Sequence, residues 1–284
     1  MTPGQISLAA RPVCIGGIGG GGTRIFADLL LRCGLYLGSD LNEAHDNLWF
    51  TLLFKRASVL VETPAALARL IDGFLEKMAT GRFPPELAGV ALALSRRDEP
   101  QHGREWLAGR HETLLADHAQ QAGRRIGWKE PNAHVIADRL LASVPGLAYV
   151  HVVRNPFDMI FSGNVNQHLL WSGIFLNTPG EPTLERKFRY WCLTQARVET
   201  LALEFPDRVH IVDYAQMVRD PEAAASALTK ALDIELSVSV LRGFAASIQS
   251  EGATGRWRGR DLSALSPDDL GFARARGYFP EMPE

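Results

Sequence analysis

The sequence predicts an α/β fold: a central, mostly parallel sheet with helices on both faces, in a single domain over residues 1–284. Three observations carry this reading. A short apolar run, Val13-Cys14-Ile15, feeds a glycine-rich turn and then a helix with one apolar stripe. Leu147–Val153, LAYVHVV, has the length and unbroken apolar character of a strand buried on both faces. Strand and helix patterns then alternate towards the C-terminus, as a sheet with helical crossovers requires.

Each element has its local signals. Six of the seven residues from Gly16 to Gly22 are glycine, and Thr23 opens a helix that stops at Gly34. Ile25, Phe26, Leu29, Leu30 and Cys33 form its apolar stripe, and Asp28 and Arg32 stand at i,i+4 for an ion pair. Residues 41 to about 122 read as a mainly helical insertion with breaks at Pro64, at Gly81–Pro85 and at Pro100–Gly103. Arg125–Trp128 is a short strand, followed by a helix from about Ala133 to Leu141. After the Leu147–Val153 strand, Asn155 is placed to cap a helix that Pro156 begins. A longer helix spans about Leu184–Phe205, Val209–Val212 is a strand, and Asp220-Pro221 caps a helix running to about Leu232.

Composition excludes several classes. With 46% hydrophobic and 22% charged residues the chain can bury a substantial core. A net charge of −2 gives no electrostatic reason to bind nucleic acid or a membrane. Three cysteines cannot all pair, so Cys14, Cys33 and Cys192 read as thiols of a reducing compartment. The opening MTPGQISLAARP lacks the pattern of a signal peptide, and no apolar run approaches the ~18 residues of a membrane span. These features predict a cytoplasmic protein. His102, His111, His118, His134, His151 and His168 lack ligand spacing with cysteines or carboxylates, so no metal is expected.

The strand–glycine–helix unit predicts an anion site, because such a turn aims backbone N–H groups at one point with the positive end of the helix dipole behind them. A nucleoside-triphosphatase loop is excluded: the helix opens Gly22-Thr23-Arg24, and no lysine occurs between Arg11 and Lys55. Gly17, Gly19 and Gly22 match G-x-G-x-x-G, which keeps a dinucleotide oxidoreductase with Asp40 on the ribose as an alternative.

Five segments, in order, resemble the sulfotransferases that use 3′-phosphoadenosine-5′-phosphosulfate (PAPS). Gly19-Gly20-Gly21-Gly22-Thr23-Arg24 resembles the family's 5′-phosphosulfate loop, and Gly127-Trp128-Lys129-Glu130-Pro131 its lysine-proline segment. Val152-Val153-Arg154-Asn155-Pro156-Phe157-Asp158, with Ser162, is similar to the motif whose arginine and serine hold the 3′-phosphate. Val212-Asp213-Tyr214 with Arg219-Asp220-Pro221-Glu222 resembles the late strand, loop and helix. Gly255-Arg256-Trp257-Arg258 is similar to the basic loop that closes over the nucleotide, and Gly252, Gly255 and Gly259 predict that it orders on binding. The resemblance implies a P-loop-like sulfotransferase fold, with the 41–122 insertion shaping the acceptor site. It also implies sulfuryl transfer from PAPS to a hydroxyl or amine of a small molecule or saccharide, releasing 3′-phosphoadenosine-5′-phosphate.

One departure from the family pattern matters. The 5′ loop usually carries a lysine or arginine where this chain has Gly20, in contact with the transferring group. Lys129 is the candidate to supply that charge; the plainer expectation for it is a surface lysine paired with Glu130. Likewise Arg154 is either a phosphate ligand or a strand-end arginine paired with Asp158. A base must take the acceptor's proton, and His45 and Glu43 are the candidates, in a loop that otherwise reads as a polar turn ending in a helix cap at Asp46 or Asn47. Gly20 also motivates a second reading, a catalytically weak binder of PAPS or its bisphosphate product.

Overall fold

The computed structural model describes residues 11–99, 101–118, 124–248 and 254–279. The N-terminal stretch before Arg11, the break at Pro100 and Gly252 lie outside the described residues. Four strands, β1 (Val13–Gly17), β2 (Gly127–Lys129), β3 (Ala148–Val153) and β4 (Val209–Asp213), form one parallel sheet in the order β2-β1-β3-β4. Every residue of β1, β2 and β3 is buried, which is why these strands show no alternation in sequence; β4, at the edge, is largely half-exposed. The chain divides into two units: one holds the chain through Gly16 and Arg24–Val150, the other Gly17–Thr23 and the chain from His151 onward.

In the first unit β1 pairs with β2 in parallel, Cys14 opposite Trp128 and Ile15 opposite Lys129. The helix α1 (Thr23–Arg32) carries the expected Arg32–Asp28 ion pair at 2.7 Å. The insertion is helical as predicted: α2 (Leu48–Phe54), α3 (Pro64–Thr80), α4 (Ala88–Ser95) and α5 (Arg104–Leu115). The helical pattern breaks at residues 62–63, and Pro64 is the first residue of α3, where its missing N–H costs nothing and the Thr63 hydroxyl accepts from Ala66 N–H at 3.2 Å. Phe50, Phe54, Phe74 and Trp128 form an aromatic core with ring centroids 4.7–6.1 Å apart.

The helix expected over 133–141 is split. A 3₁₀ turn, Pro131–Ile136, precedes α6 (Ala137–Ser143). The cause is Glu130, whose carboxylate accepts from Asn132 N–H at 2.6 Å and from Asn132 Nδ2 at 2.7 Å, tightening the first turn.

In the second unit Asn155 caps α7 (Pro156–Ile160) as expected, its Oδ1 accepting from Phe157 N–H at 2.9 Å. A π-helical turn, His168–Ser172, leads into the short α8 (Gly173–Phe175). The long helix α9 (Leu184–Glu204) buries Phe188, Tyr190, Trp191 and Cys192. Asp213 and Asp220 cap α10 (Tyr214–Arg219) and α11 (Pro221–Ala231), after which α12 (Val238–Ser247) and α13 (Pro267–Arg274) complete the unit.

Candidate active site

The glycine loop leaves the carboxyl end of β1 and lies in the second unit. Its conformation demands glycine: φ is +86° at both Gly20 and Gly22. A β-carbon on Gly22 would run into the Tyr214 ring, and one on Gly20 would lie 3.0 Å from Ser162 Oγ. Position 20 therefore disfavours a lysine for backbone and steric reasons together. Two loop N–H groups are already engaged: Gly21 donates to Ile18 O at 2.8 Å and Gly19 to Gln167 Oε1 at 2.9 Å. Gly20, Gly22 and Thr23 N–H have no acceptor among the described residues and are open to an anion. Thr23 is buried, and Arg24, one residue on, is exposed on the first turn of α1.

Arg154 follows β3 and is buried, only 7% exposed. Its guanidinium donates from one terminal nitrogen to Gly20 O at 2.9 Å and lies over the Tyr214 ring, 4.6 Å from the centroid. Its Nε and its other terminal nitrogen have no hydrogen-bond partner. Burial lowers its pKa from the usual arginine value, opposed by the Tyr214 hydroxyl. Arg154, Ser162 and the glycine loop meet at Gly20. The expected alternative, an Arg154–Asp158 pair, does not form as an ion pair, because Asp158 Oδ1 instead accepts from Arg256 N–H at 2.7 Å.

That bond seats the C-terminal basic loop. Trp257 is buried with its ring 5.9 Å from that of Phe157, and Arg258 N–H and Arg260 N–H close turns onto Gly255 O and Trp257 O. Gly255 and Gly259 supply φ values of +81° and +72° at these turns. These bonds hold the loop backbone against the unit, while Arg256 and Arg258 are exposed.

The first unit assembles a different group. Lys129, the last residue of β2, is buried to 3% side-chain exposure and is not a surface lysine. Its ammonium is ion-paired with Asp46 and donates to Ala44 O at 3.0 Å; Glu130 is not its ion-pair partner. Its carbonyl accepts from Asn47 N–H at 2.7 Å. The turn that grips it is built by Asn42, whose Oδ1 accepts from Ala44 and Asp46 N–H and whose Nδ2 donates to Asp46 Oδ2 at 2.8 Å. Within this turn His45 adopts a left-handed conformation, φ +62°, and Glu43 is exposed. Neither touches Lys129 through a hydrogen bond or ion pair. Asn47 is the predicted cap, its Oδ1 accepting from Phe50 N–H at 2.9 Å.

Glu130 is completely buried beside this group. Burial pushes its carboxyl up to about 7; Asp46 adds to the rise, while Lys55, Asn132 and Lys129 oppose it. Asp40, the ribose ligand of the dinucleotide reading, is occupied by Arg110 at 3.0 Å and by the Thr113 hydroxyl. Among the described residues no cluster of three or more His, Cys, Asp or Glu could hold a metal, and no helix is long and apolar enough to cross a membrane.

Gln167 was not singled out by the sequence, and Asp158 and Asp46 were named for other partners than the ones they have. Asp158 and Gln167 act on backbone 98 and 148 residues away, so no local spacing announces them. Asp46 had a local signal, the Asn42–Asp46 spacing of a side-chain-capped turn, but nothing tied it to Lys129.

A model of the sulfotransferase family matches residues 45–238, more than half of the chain, and the matched stretch contains Lys129, Arg154, Ser162 and Tyr214. The solved sulfotransferase domain from the curacin biosynthetic pathway is 16% identical, aligned over 96% of this chain and 99% of that one, with a TM-score of 0.51. That likeness shows the fold. The sulfotransferase domain of the Synechococcus PCC 7002 olefin synthase is also 16% identical, over 100% of this chain and 99% of that one, with a TM-score of 0.49. No curated protein matches.

Proposed function

Because the chain belongs to the sulfotransferase family, we propose that it transfers a sulfuryl group from PAPS to a hydroxyl or amine of a small-molecule or saccharide acceptor. The observation that carries the choice of donor is Arg154: a buried guanidinium, tied to the glycine loop at Gly20, with two nitrogens lacking a partner. Orphaned buried donors of this kind are costly unless an anion completes them, and planar bidentate geometry suits phosphate. The loop fits the same ligand, since Gly20, Gly22 and Thr23 N–H are unengaged.

PAPS would supply a sulfuryl group on a good leaving group. The residues' part is to bind, orient and stabilise charge. In this reading Gly19–Gly22 and Thr23 form the 5′ site, with Arg24 beginning the helix behind it, and Arg154 and Ser162 hold the 3′-phosphate. Tyr214 backs the arginine, while Arg256, Trp257 and Arg258 cover the nucleotide. Lys129 supplies the positive charge that Gly20 does not, and His45 or Glu43 takes the acceptor's proton. The left-handed glycine at position 20 also supports the competing reading, a weakly catalytic binder of the same ligands. Turnover of the wild-type protein separates the two.

The donor assignment is tested by thermal shift. 3′-Phosphoadenosine-5′-phosphate is expected to stabilise the protein, and AMP, without the 3′-phosphate, much less. Arg154→Ala should remove most of the gain, since charge-assisted bonds contribute roughly 1.5–3 kcal/mol. Equal shifts with AMP and the bisphosphate would overturn the assignment.

A further inference from the structure

Gln167 is nearly inaccessible, 3% exposed, and its side chain bonds to nothing but the glycine loop. Its Oε1 accepts from Gly19 N–H at 2.9 Å, and its Nε2 donates to Gly17 O at 3.3 Å. The amide thus bridges the residues on either side of Ile18, itself buried. Both bonds are satisfied in one amide orientation only. Glutamate could accept from Gly19 but would face Gly17 O without a proton to give; methionine fills the volume and makes neither bond.

The surrounding segment follows the loop residue by residue. Ser162 Oγ lies 3.0 Å from where a Gly20 β-carbon would be, and Asn164 Nδ2 lies 3.3 Å from the same point on Gly19. The π-helical turn His168–Ser172 begins directly after Gln167, and such turns shift the register by which side chains leave a helix.

A loop of consecutive glycines has no side chains of its own to hold a shape, and its unfolded freedom is the largest of any sequence. Something external must fix which N–H groups face the ligand. We propose that Gln167 is the positioning residue of this loop, locking Gly17–Gly19 so that Gly20, Gly22 and Thr23 N–H converge on the 5′-phosphate end of the nucleotide. The inference rests on the reading of the loop as the donor's 5′ site. Gln167 does not touch the nucleotide; it acts through the backbone.

Titration calorimetry on the full chain tests this with two nucleotides, 3′-phosphoadenosine-5′-phosphate and adenosine 3′-phosphate. The second lacks the 5′ group and draws on the Arg154 side alone. Gln167→Ala is expected to weaken the bisphosphate about 10-fold and leave adenosine 3′-phosphate unchanged. Gln167→Met, which keeps the volume, should give the same result and serves if the alanine protein does not fold. Gln167→Glu should weaken the bisphosphate further, by adding a negative charge behind the loop. Wild-type bisphosphate affinity in both Gln167→Ala and Gln167→Met would overturn the proposal, as would equal loss of both nucleotides, which marks a general structural role. Failure of the wild-type protein to bind the bisphosphate would instead overturn the underlying donor assignment.

Discussion

The glycine loop of the second unit and the Lys129 turn of the first both hold hydrogen-bond donors in place, by opposite means. The loop presents backbone N–H groups and borrows its rigidity from Gln167, Ser162 and Arg154. The turn presents one side-chain ammonium and fixes it with backbone and carboxylate acceptors, Ala44 O and Asp46. An ammonium has three donors; with two committed, the direction of the third is set. Under the proposed function the cation absent from the loop at Gly20 is supplied by Lys129, from a different strand. At Gly20 a φ of +86° disfavours the side chain, whereas Lys129 ends a regular strand, whose backbone carries a side chain without strain.

The sharpest way to break this comparison is Lys129→Ala. It is expected to lower kcat by roughly 10²–10³, the loss of one preorganised transition-state donor, while bisphosphate affinity changes little. Near-normal kcat would move the catalytic charge elsewhere, with Arg24 the next residue to replace. Asp46→Ala comes second: releasing the ammonium's main acceptor should lower kcat about 10- to 100-fold through misplacement and leave nucleotide affinity unaltered. An Asp46→Ala protein with a raised KM for PAPS and normal kcat would show that the turn serves binding, not the cation.

A smaller effect concerns stability. Glu130 in the fold titrates at about 7, above the ordinary carboxylate value near 4.3, so the folded state holds its proton where the unfolded chain has lost it. Its contribution is therefore present at low pH and lost as pH rises from about 4 to 7, with Asp46, Lys129 and Lys55 the charged groups around it. Glu130→Gln should flatten the fall in Tm between pH 5 and 7. An unchanged pH slope in that variant would assign the titration to another group.

Much of the architecture was legible because it is local. The β1–loop–α1 unit, the buried β3 strand and the caps at Asn155 and Asp220 depend on neighbours within a few residues. Pro64 marked an interruption because proline suits a helix start and not an interior, and the Thr63 cap begins α3 there. The 3₁₀ turn after Glu130 was hidden because it follows from one carboxylate folding back on Asn132. At the site the residue types were readable and their partners were not. The alternative to a catalytic role for Lys129 was a pair with its neighbour Glu130; it pairs with Asp46, 83 residues away. Arg154 was expected to choose between phosphate and Asp158, but it is bonded to Gly20 O, 134 residues away, and Asp158 is bonded to the Arg256 backbone. Sequence periodicity reports which face a residue occupies, not which distant group meets it there.

The most direct test of the central claim is acceptor-dependent turnover. Wild-type protein is incubated with PAPS and pooled alcohols, phenols, amines and saccharides, and release of 3′-phosphoadenosine-5′-phosphate is followed against a control without acceptor. The account predicts release that requires at least one pool. A protein that is stabilised by the bisphosphate yet releases none above the control with any pool would contradict it, leaving a nucleotide binder in the sulfotransferase fold.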